Sequence, residues 1–213
     1  MLSDRNSIER ALSLLAAALE AQSAGPYEIV VVGGAALSAM GIGVRATRDV
    51  DVLGLRENLD RAAGSGVSPS PAKDDYLVKQ KPLPAPLLAA AKTVASALGL
   101  DAEWLNAGPA DLLDHGLPEG FARRLRPVHY GPRLTVWLPS REDLICLKTY
   151  AAADLGIGRH TEDLHALHAT CGELRAGAIW ARSQDPSEAF REMLVGLLRY
   201  FGCEAAAEEM GRG

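Results

Sequence analysis

An apolar run, Tyr27-Glu-Ile-Val-Val-Val32, stops at Gly33-Gly34, and after a helix-length gap comes Asp49-Val-Asp51. No other feature constrains the fold as much. The run is rich in β-branched residues and bounded by glycine, which predicts a buried strand ending where the chain must bend sharply. Main-chain amides at that bend face a ligand, and Ala35-Ala-Leu-Ser-Ala-Met40 predicts a short helix whose N-terminal amides reinforce an anion site at the turn. Asp49 and Asp51 fall in a second short strand, Asp49–Leu53, so that both carboxylates point to one face while Val50 and Val52 point to the other. Like charges that close repel each other. A divalent cation makes the pair favourable, and adjacent hard oxygen donors suit Mg²⁺ or Mn²⁺ held jointly with substrate phosphates. Two aspartates flanking a valine occur in many surface strands, so the upstream double glycine supplies the specificity.

Composition narrows the classes. At 213 residues the chain fits one generous domain, or a core with a helical annex, and 48% hydrophobic with 23% charged residues excludes disorder. A net charge of −5 argues against a generally basic nucleic-acid-binding surface. A local patch, Arg123-Arg124-Leu-Arg126 with Arg133, is either solvated or touches an RNA backbone. Cys146, Cys171 and Cys203 are odd in number and widely spread, which suggests neither a disulfide framework nor a zinc knuckle and fits a reducing cytoplasm. The N-terminus lacks the form of a secretory signal, and the apolar stretch Leu83–Leu100 is broken by Pro84, Pro86, Lys92 and Ser96. A soluble, cytoplasmic protein without a membrane span is expected.

Ile8, Leu12, Leu15 and Leu19 recur at helical spacing and predict an amphipathic helix over 5–22 that covers one face of the sheet and ends at Gly25-Pro26. From Gly64 to Pro86 the glycine, serine and proline content predicts a loop, either a plain surface excursion or a lid over a substrate. An alanine-rich helix over 86–98 comes next, and residues 131–138 predict a last strand closed by Pro139. Beyond it Ser140-Arg-Glu-Asp143 has the form of a capping box opening a helix to about Leu155. A second helix is expected over 160–174, and Asp185-Pro186-x-Glu188 predicts an N-cap and first turn of a third helix running through Tyr200. The expected architecture is α/β (α+β): a small mixed sheet flanked by helices over residues 1–139, then a helical C-terminal region over 140–213, with the site in the groove between them.

The strand, the Gly33-Gly34 turn and Asp49-Val-Asp51 resemble the nucleotidyltransferase superfamily, the polymerase-beta-like enzymes. Gly33-Gly34-x-x-Leu37 with Arg45-x-Thr47-x-Asp49 is similar to the branch related to the AbiEii toxins of bacterial toxin–antitoxin systems. Trp104-Leu105-Asn106, Leu117-Pro-Glu-Gly-Phe121, Asp143-Leu144-x-x-Leu147-Lys148 and Asp163-Leu164-x-x-Leu167 are similar to segments of a group of uncharacterised bacterial proteins in that branch. The resemblance implies that Asp49 and Asp51 hold the metal and that Gly33 and Gly34 seat a nucleoside triphosphate, with Arg45 and Thr47 contacting phosphate or bracing the loop. The implied acceptor is RNA, such as tRNA, or protein, and an antitoxin partner is implied with it. Many superfamily members draw a third carboxylate from a later strand; here Asp101, Glu103 or neither fills that place.

Lys148 falls within an apolar stripe of Leu144, Leu147, Ala151 and Leu155. Either its stem packs on the core and the ammonium snorkels to water, or the ammonium sits beside triphosphate oxygens, as the resemblance implies. Asp163 borders the next apolar face, where it either complements the helix dipole or, as the resemblance implies, activates the acceptor hydroxyl. Related sequences often carry a basic residue and an aspartate three residues ahead of the Asp-Leu pair, whereas Arg159-His160 stands there in this chain. His165 and His168 have helical metal spacing without a third ligand and read as ordinary surface or core residues, and Trp104, Trp137 and Trp180 read as packing residues. Two functions stand against each other: an Mg²⁺-dependent nucleotidyltransferase, and a nucleotide-binding or partner-binding module on the same fold that has lost turnover. A dinucleotide-binding oxidoreductase fails because Gly33-Gly34-Ala-Ala-Leu-Ser lacks the later glycines of that turn.

Overall fold

In a computed structural model of the chain the described residues are 2, 4–42, 46–56 and 77–212. Arg45 and residues 64–76 of the expected loop lie outside them. The chain divides into two compact units, Met1–Pro139 and Ser140–Gly213.

The first unit opens with α1, Arg5–Ala21, capped by Asp4, whose carboxylate accepts the Ser7 N–H at 2.8 Å. The expected stripe of Ile8, Leu12, Leu15 and Leu19 is buried. β1, Tyr27–Val32, leads directly into α2, Gly33–Ala39, and β2 covers Val50–Arg56. Next along the chain are β3, Leu77–Val78, α3, Ala85–Leu98, and β4, Leu105–Asn106. A 3₁₀ helix, Gly108–Asp114, and the single turn α4, Phe121–Arg124, precede β5, Arg126–His129, and β6, Leu134–Leu138. The strands form one mixed sheet in the order β3-β2-β1-β6-β5, with β4 pairing on β2. β1 runs parallel to β6 and antiparallel to β2, and its Ile29, Val30, Val31 and Val32 are buried. α1 packs on α3 and touches β6, so these helices cover one face. Trp104 is fully buried and donates its indole N–H to Ala91 O at 2.9 Å, a packing role as expected. Trp137 lies under the Arg56 guanidinium and donates to Glu28 Oε2. In the described part of the expected loop, Lys79 and Lys81 pair with Asp111 and so tie the segment after β3 to the 3₁₀ helix. Within the basic patch Arg133 donates to Gly25 O, bracing the entrance to β1.

The second unit begins with α5, Arg141–Leu155, whose Ser140/Asp143 capping box forms as expected. Its expected stripe is only partly correct: Leu144, Leu147 and Lys148 are buried, but Leu155 is 64% exposed. α5 packs on several neighbours and therefore buries more of its circumference than one stripe, including Ile145, Thr149 and Ala152. The single helix expected over 160–174 is two helices, α6, Arg159–Ala166, and α7, Cys171–Gln184. His168 takes φ +49° between them, and Thr170 with Glu173 forms a capping box that starts α7. Arg141 pairs with Glu173 and donates to Leu167 O, closing the α6–α7 turn onto the start of α5; that pairing holds the Glu173 carboxyl down at about 2. α8, Glu188–Tyr200, is capped by Ser187 rather than Asp185, which instead accepts the Ser187 N–H at 2.8 Å. α9, Glu204–Arg212, completes the unit. His165 packs on Phe201, and the end of α6 separates it from His168, so the two histidines do not share a helix face. Among the described residues no helix is long and apolar enough to cross a membrane.

The cysteines depart from expectation. Cys171, the first residue of α7, and Cys203, in the turn before α9, are joined by a disulfide across a separation of 32 residues, and Cys146 is free. Spacing in the sequence could not reveal this pair, because the α7–α8 turn brings them together. Replacing Cys171 and Cys203 by serine is expected to lower stability by about 3–4 kcal/mol through lost loop closure. Denaturant unfolding with and without reductant measures the loss, and alkylation of the unreduced, unfolded chain should mark Cys146 alone.

Candidate active site

The end of β1 creates the site. Val32 faces Asp51 across the β1–β2 ladder, and Gly33 then turns the chain with φ +72°. A Cβ on Gly33 would stand 2.5 Å from Asp51 Oδ2, and a Cβ on Gly34 would stand 3.1 Å from Thr47 Oγ1. The glycine pair is therefore required twice: by backbone conformation at Gly33, and by the close approach of a carboxylate and a hydroxyl to the turn. Val32, at the N-cap of α2, offers no side-chain cap to the first-turn amides.

Asp49 and Asp51 are half-buried and Val50 and Val52 fully buried, but β2 starts at Val50 rather than Asp49, and Leu53 is buried as well, so the expected alternation holds only around Asp51. Thr47 is buried, bridged to Leu2 through both backbone hydrogen bonds. Its hydroxyl donates to Asp49 O at 3.1 Å and lies 3.3 Å from Asp49 Oδ1. Of the two roles expected for Thr47, the local geometry supplies the brace. On the far side of β2, β4 runs parallel and places Asn106 opposite Asp51. Asn106 Oδ1 accepts the Gly108 N–H at 2.7 Å, and a Cβ on Gly108 would stand 4.0 Å from Asp51 Oδ1. The Asp51 carboxylate thus lies between two glycines. A cleft of about 920 Å³, a volume suited to a small ligand, is lined by Arg48, Asp49, Asp101, Glu103, Asn106 and Gly108 among others; of the two acids Asp49 lines it and Asp51 does not.

Asp49 and Asp51 fit a hard divalent cation by donor chemistry: two carboxylates two residues apart, one beside the Thr47 hydroxyl and the other close to the glycine turn. Among the described residues no group of three or more His, Cys, Asp or Glu could hold a metal, so neither Asp101 nor Glu103 completes a triad. Asp101 spends a carboxylate oxygen on the Glu103 N–H at 2.8 Å. Sequence reasoning placed Asn106 in a family-like segment without linking it to Asp51, and it passed over Gly108. A two-residue strand carries no periodicity, and only its register against β2 shows what faces Asp51.

Within the second unit, α6 folds back against α5 after Gly156 and brings Asp163 to Lys148. Lys148 Nζ lies 2.6 Å from Asp163 Oδ2, and both side chains are 6% exposed. The ammonium does not snorkel to water; it is held by a carboxylate, which explains how a lysine sits in an apolar stripe.

Gly33→Ala is expected to cost about 1–2 kcal/mol from the left-handed backbone alone, and to push the Asp51 carboxylate aside; thermal unfolding measures the first and Mn²⁺ titration the second. Lys148→Met or Asp163→Leu alone strands a buried charge and should destabilise by about 3 kcal/mol, whereas the double replacement recovers most of that loss. Urea midpoints of the three variants decide.

No curated protein and no solved structure matches the chain. The profile of one family, "Nucleotidyltransferase of unknown function (DUF6036)", matches residues 10–168, which include the glycine turn, the Asp49/Asp51 pair, Asn106, Lys148 and Asp163. The chain belongs to this family of nucleotidyltransferases.

Proposed function

We propose that the chain moves a nucleotide from a nucleoside triphosphate to an acceptor hydroxyl, with Asp49 and Asp51 holding Mg²⁺ or Mn²⁺. The observation that carries this reading is the close approach of the Asp51 carboxylate to Gly33, where a Cβ would stand 2.5 Å from Asp51 Oδ2, so that an anionic oxygen donor and the glycine turn meet at one point. Gly33 and Gly34 amides receive phosphate oxygens, and Thr47 keeps Asp49 oriented. The cation, when bound, supplies charge stabilisation to the phosphate oxygens. Lys148 is the residue that the family resemblance gives for triphosphate charge; within its own unit its ammonium is paired with Asp163. The acceptor oxygen attacks the α-phosphorus in line; the new P–O bond forms as the bond to the bridging oxygen of the β-phosphate breaks, and pyrophosphate leaves with that electron pair. Asp163 orients the acceptor hydroxyl or takes its proton. The acceptor is RNA, such as tRNA, or protein, and an AbiEii-like toxin role in the bacterial cytoplasm would bring an antitoxin partner.

A second reading is favoured by one observation: among the described residues no third acid joins Asp49 and Asp51. In that reading the fold binds nucleotide or a partner without turnover.

Incubation with each α-labelled nucleoside triphosphate, Mg²⁺ and total RNA or protein separates the two. Label transfer that falls about a hundredfold or more in Asp51→Asn is expected for the enzyme. Calorimetric triphosphate binding without any transfer selects the module instead.

A further inference from the structure

We propose that the Cys171–Cys203 disulfide is a thiol-exchange site, opened through Cys171 by a dithiol reductant, and that its opening releases α9. The two sulfurs are placed unequally. Cys171 is the first residue of α7 and is exposed, whereas Cys203, in the turn before α9, is 4% exposed. A glycine stands beside each cysteine, Gly172 and Gly202, and at both a Cβ would meet nothing within 4 Å. A thiolate can therefore approach Cys171, while Cys203 is covered. Exposed disulfides are the labile and regulatory ones, and exchange begins at the sulfur that can be reached.

A reductant thiolate attacks Cys171 Sγ; the new S–S bond forms as the bond to Cys203 Sγ breaks, and Cys203 leaves with the electron pair and takes a proton. Phe201 O, 3.7 Å from Cys203 Sγ, stands as an acceptor for the S–H so formed. The second thiolate of the reductant then attacks the reductant's own sulfur in the mixed disulfide, and Cys171 leaves as a thiolate. Two electrons pass to the protein, and the dithiol becomes a disulfide. The N-terminus of α7 favours the thiolate at Cys171, and the charge of Glu173, the acid of that first turn, is offset by Arg141.

Little else fastens α9. Its nine residues include two that are buried, Ala206 and Ala207, and a free helix of that length is marginal in water. Arg175 pairs with Glu209 through side chains that are 46% and 54% exposed, and Arg191 donates to Gly211 O at 2.8 Å. Exposed pairs of this kind are weak. The disulfide ties the turn that opens α9 to the start of α7, so its loss frees the helix. Release of α9 then takes Ala206, Glu209 and Met210 away from the groove they line with Arg175, Ile179 and Arg191.

The test uses the full, unaltered chain, with dithiothreitol as the dithiol. In native buffer it should open the bond, so that iodoacetamide then labels both Cys171 and Cys203 when peptides are mapped by mass spectrometry. Hydrogen exchange of the α9 amides should quicken by about tenfold or more on reduction, while that of the α1 amides stays within about twofold. Cys203→Ser and Cys171→Ser, each leaving one thiol of the pair, report the asymmetry: Cys171 should form a mixed disulfide with oxidised glutathione about tenfold faster than Cys203 or more. A bond that dithiothreitol opens only in denaturant overturns the inference, and so does α9 exchange that reduction leaves unchanged. Equal rates in the two variants overturn entry through Cys171. The measurements on unaltered protein need no variant, so they decide the matter even where a serine replacement fails to fold.

Discussion

The close approach of the Asp51 carboxylate to Gly33 is the constraint on which the candidate site depends. A methyl group at residue 33 would stand 2.5 Å from Asp51 Oδ2, and the backbone there has positive φ, so only glycine satisfies both the turn and the neighbouring strand. From that contact the rest of the site is built in order. The antiparallel register sets Val32 opposite Asp51, β2 buries Val50 and Val52 on either side of Asp51, and Thr47 reaches back from the preceding loop to brace Asp49. Each is a local consequence of strand geometry, yet together they bring the Asp51 carboxylate and the Thr47 hydroxyl against the glycine turn.

The helical unit solves a different problem. A lysine buried on an apolar helix face is unfavourable unless its charge is matched, and Asp163 matches it at 2.6 Å. The match depends on the Gly156 break, which lets α6 return along α5. Around that pair the unit closes itself with contacts that have nothing to do with charge in the core: the Arg141–Glu173 bridge over the α6–α7 turn, the close approach of Gly177 to Thr149, and the Cys171–Cys203 bond.

Much of the secondary structure is legible because periodicity and capping are written locally. The α1 stripe, the β1 run and the Ser140 capping box all appear where the residues place them, and β2 begins one residue later than expected, at Val50. The departures share a cause. Thr170-x-x-Glu173 is a capping signal masked by the apolar periodicity around it, so two helices read as one. Ser187 displaces Asp185 as a cap because Asp185 makes a shorter-range bond to the Ser187 N–H. β3 and β4 are two-residue strands, too short to show alternation, and they exist only through pairing with β2.

By itself the sequence determined the glycine turn, the adjacent acids and the stripes of the longer helices, because side-chain size, φ preference and a period of two or 3.6 act between residues close in the chain. Only the tertiary structure decided that Asn106 faces Asp51, that Lys148 is paired with Asp163, and that two cysteines far apart in sequence are bonded. Those three are long-range contacts. They depend on where turns return the chain, and nothing in the residues flanking either partner encodes that distance.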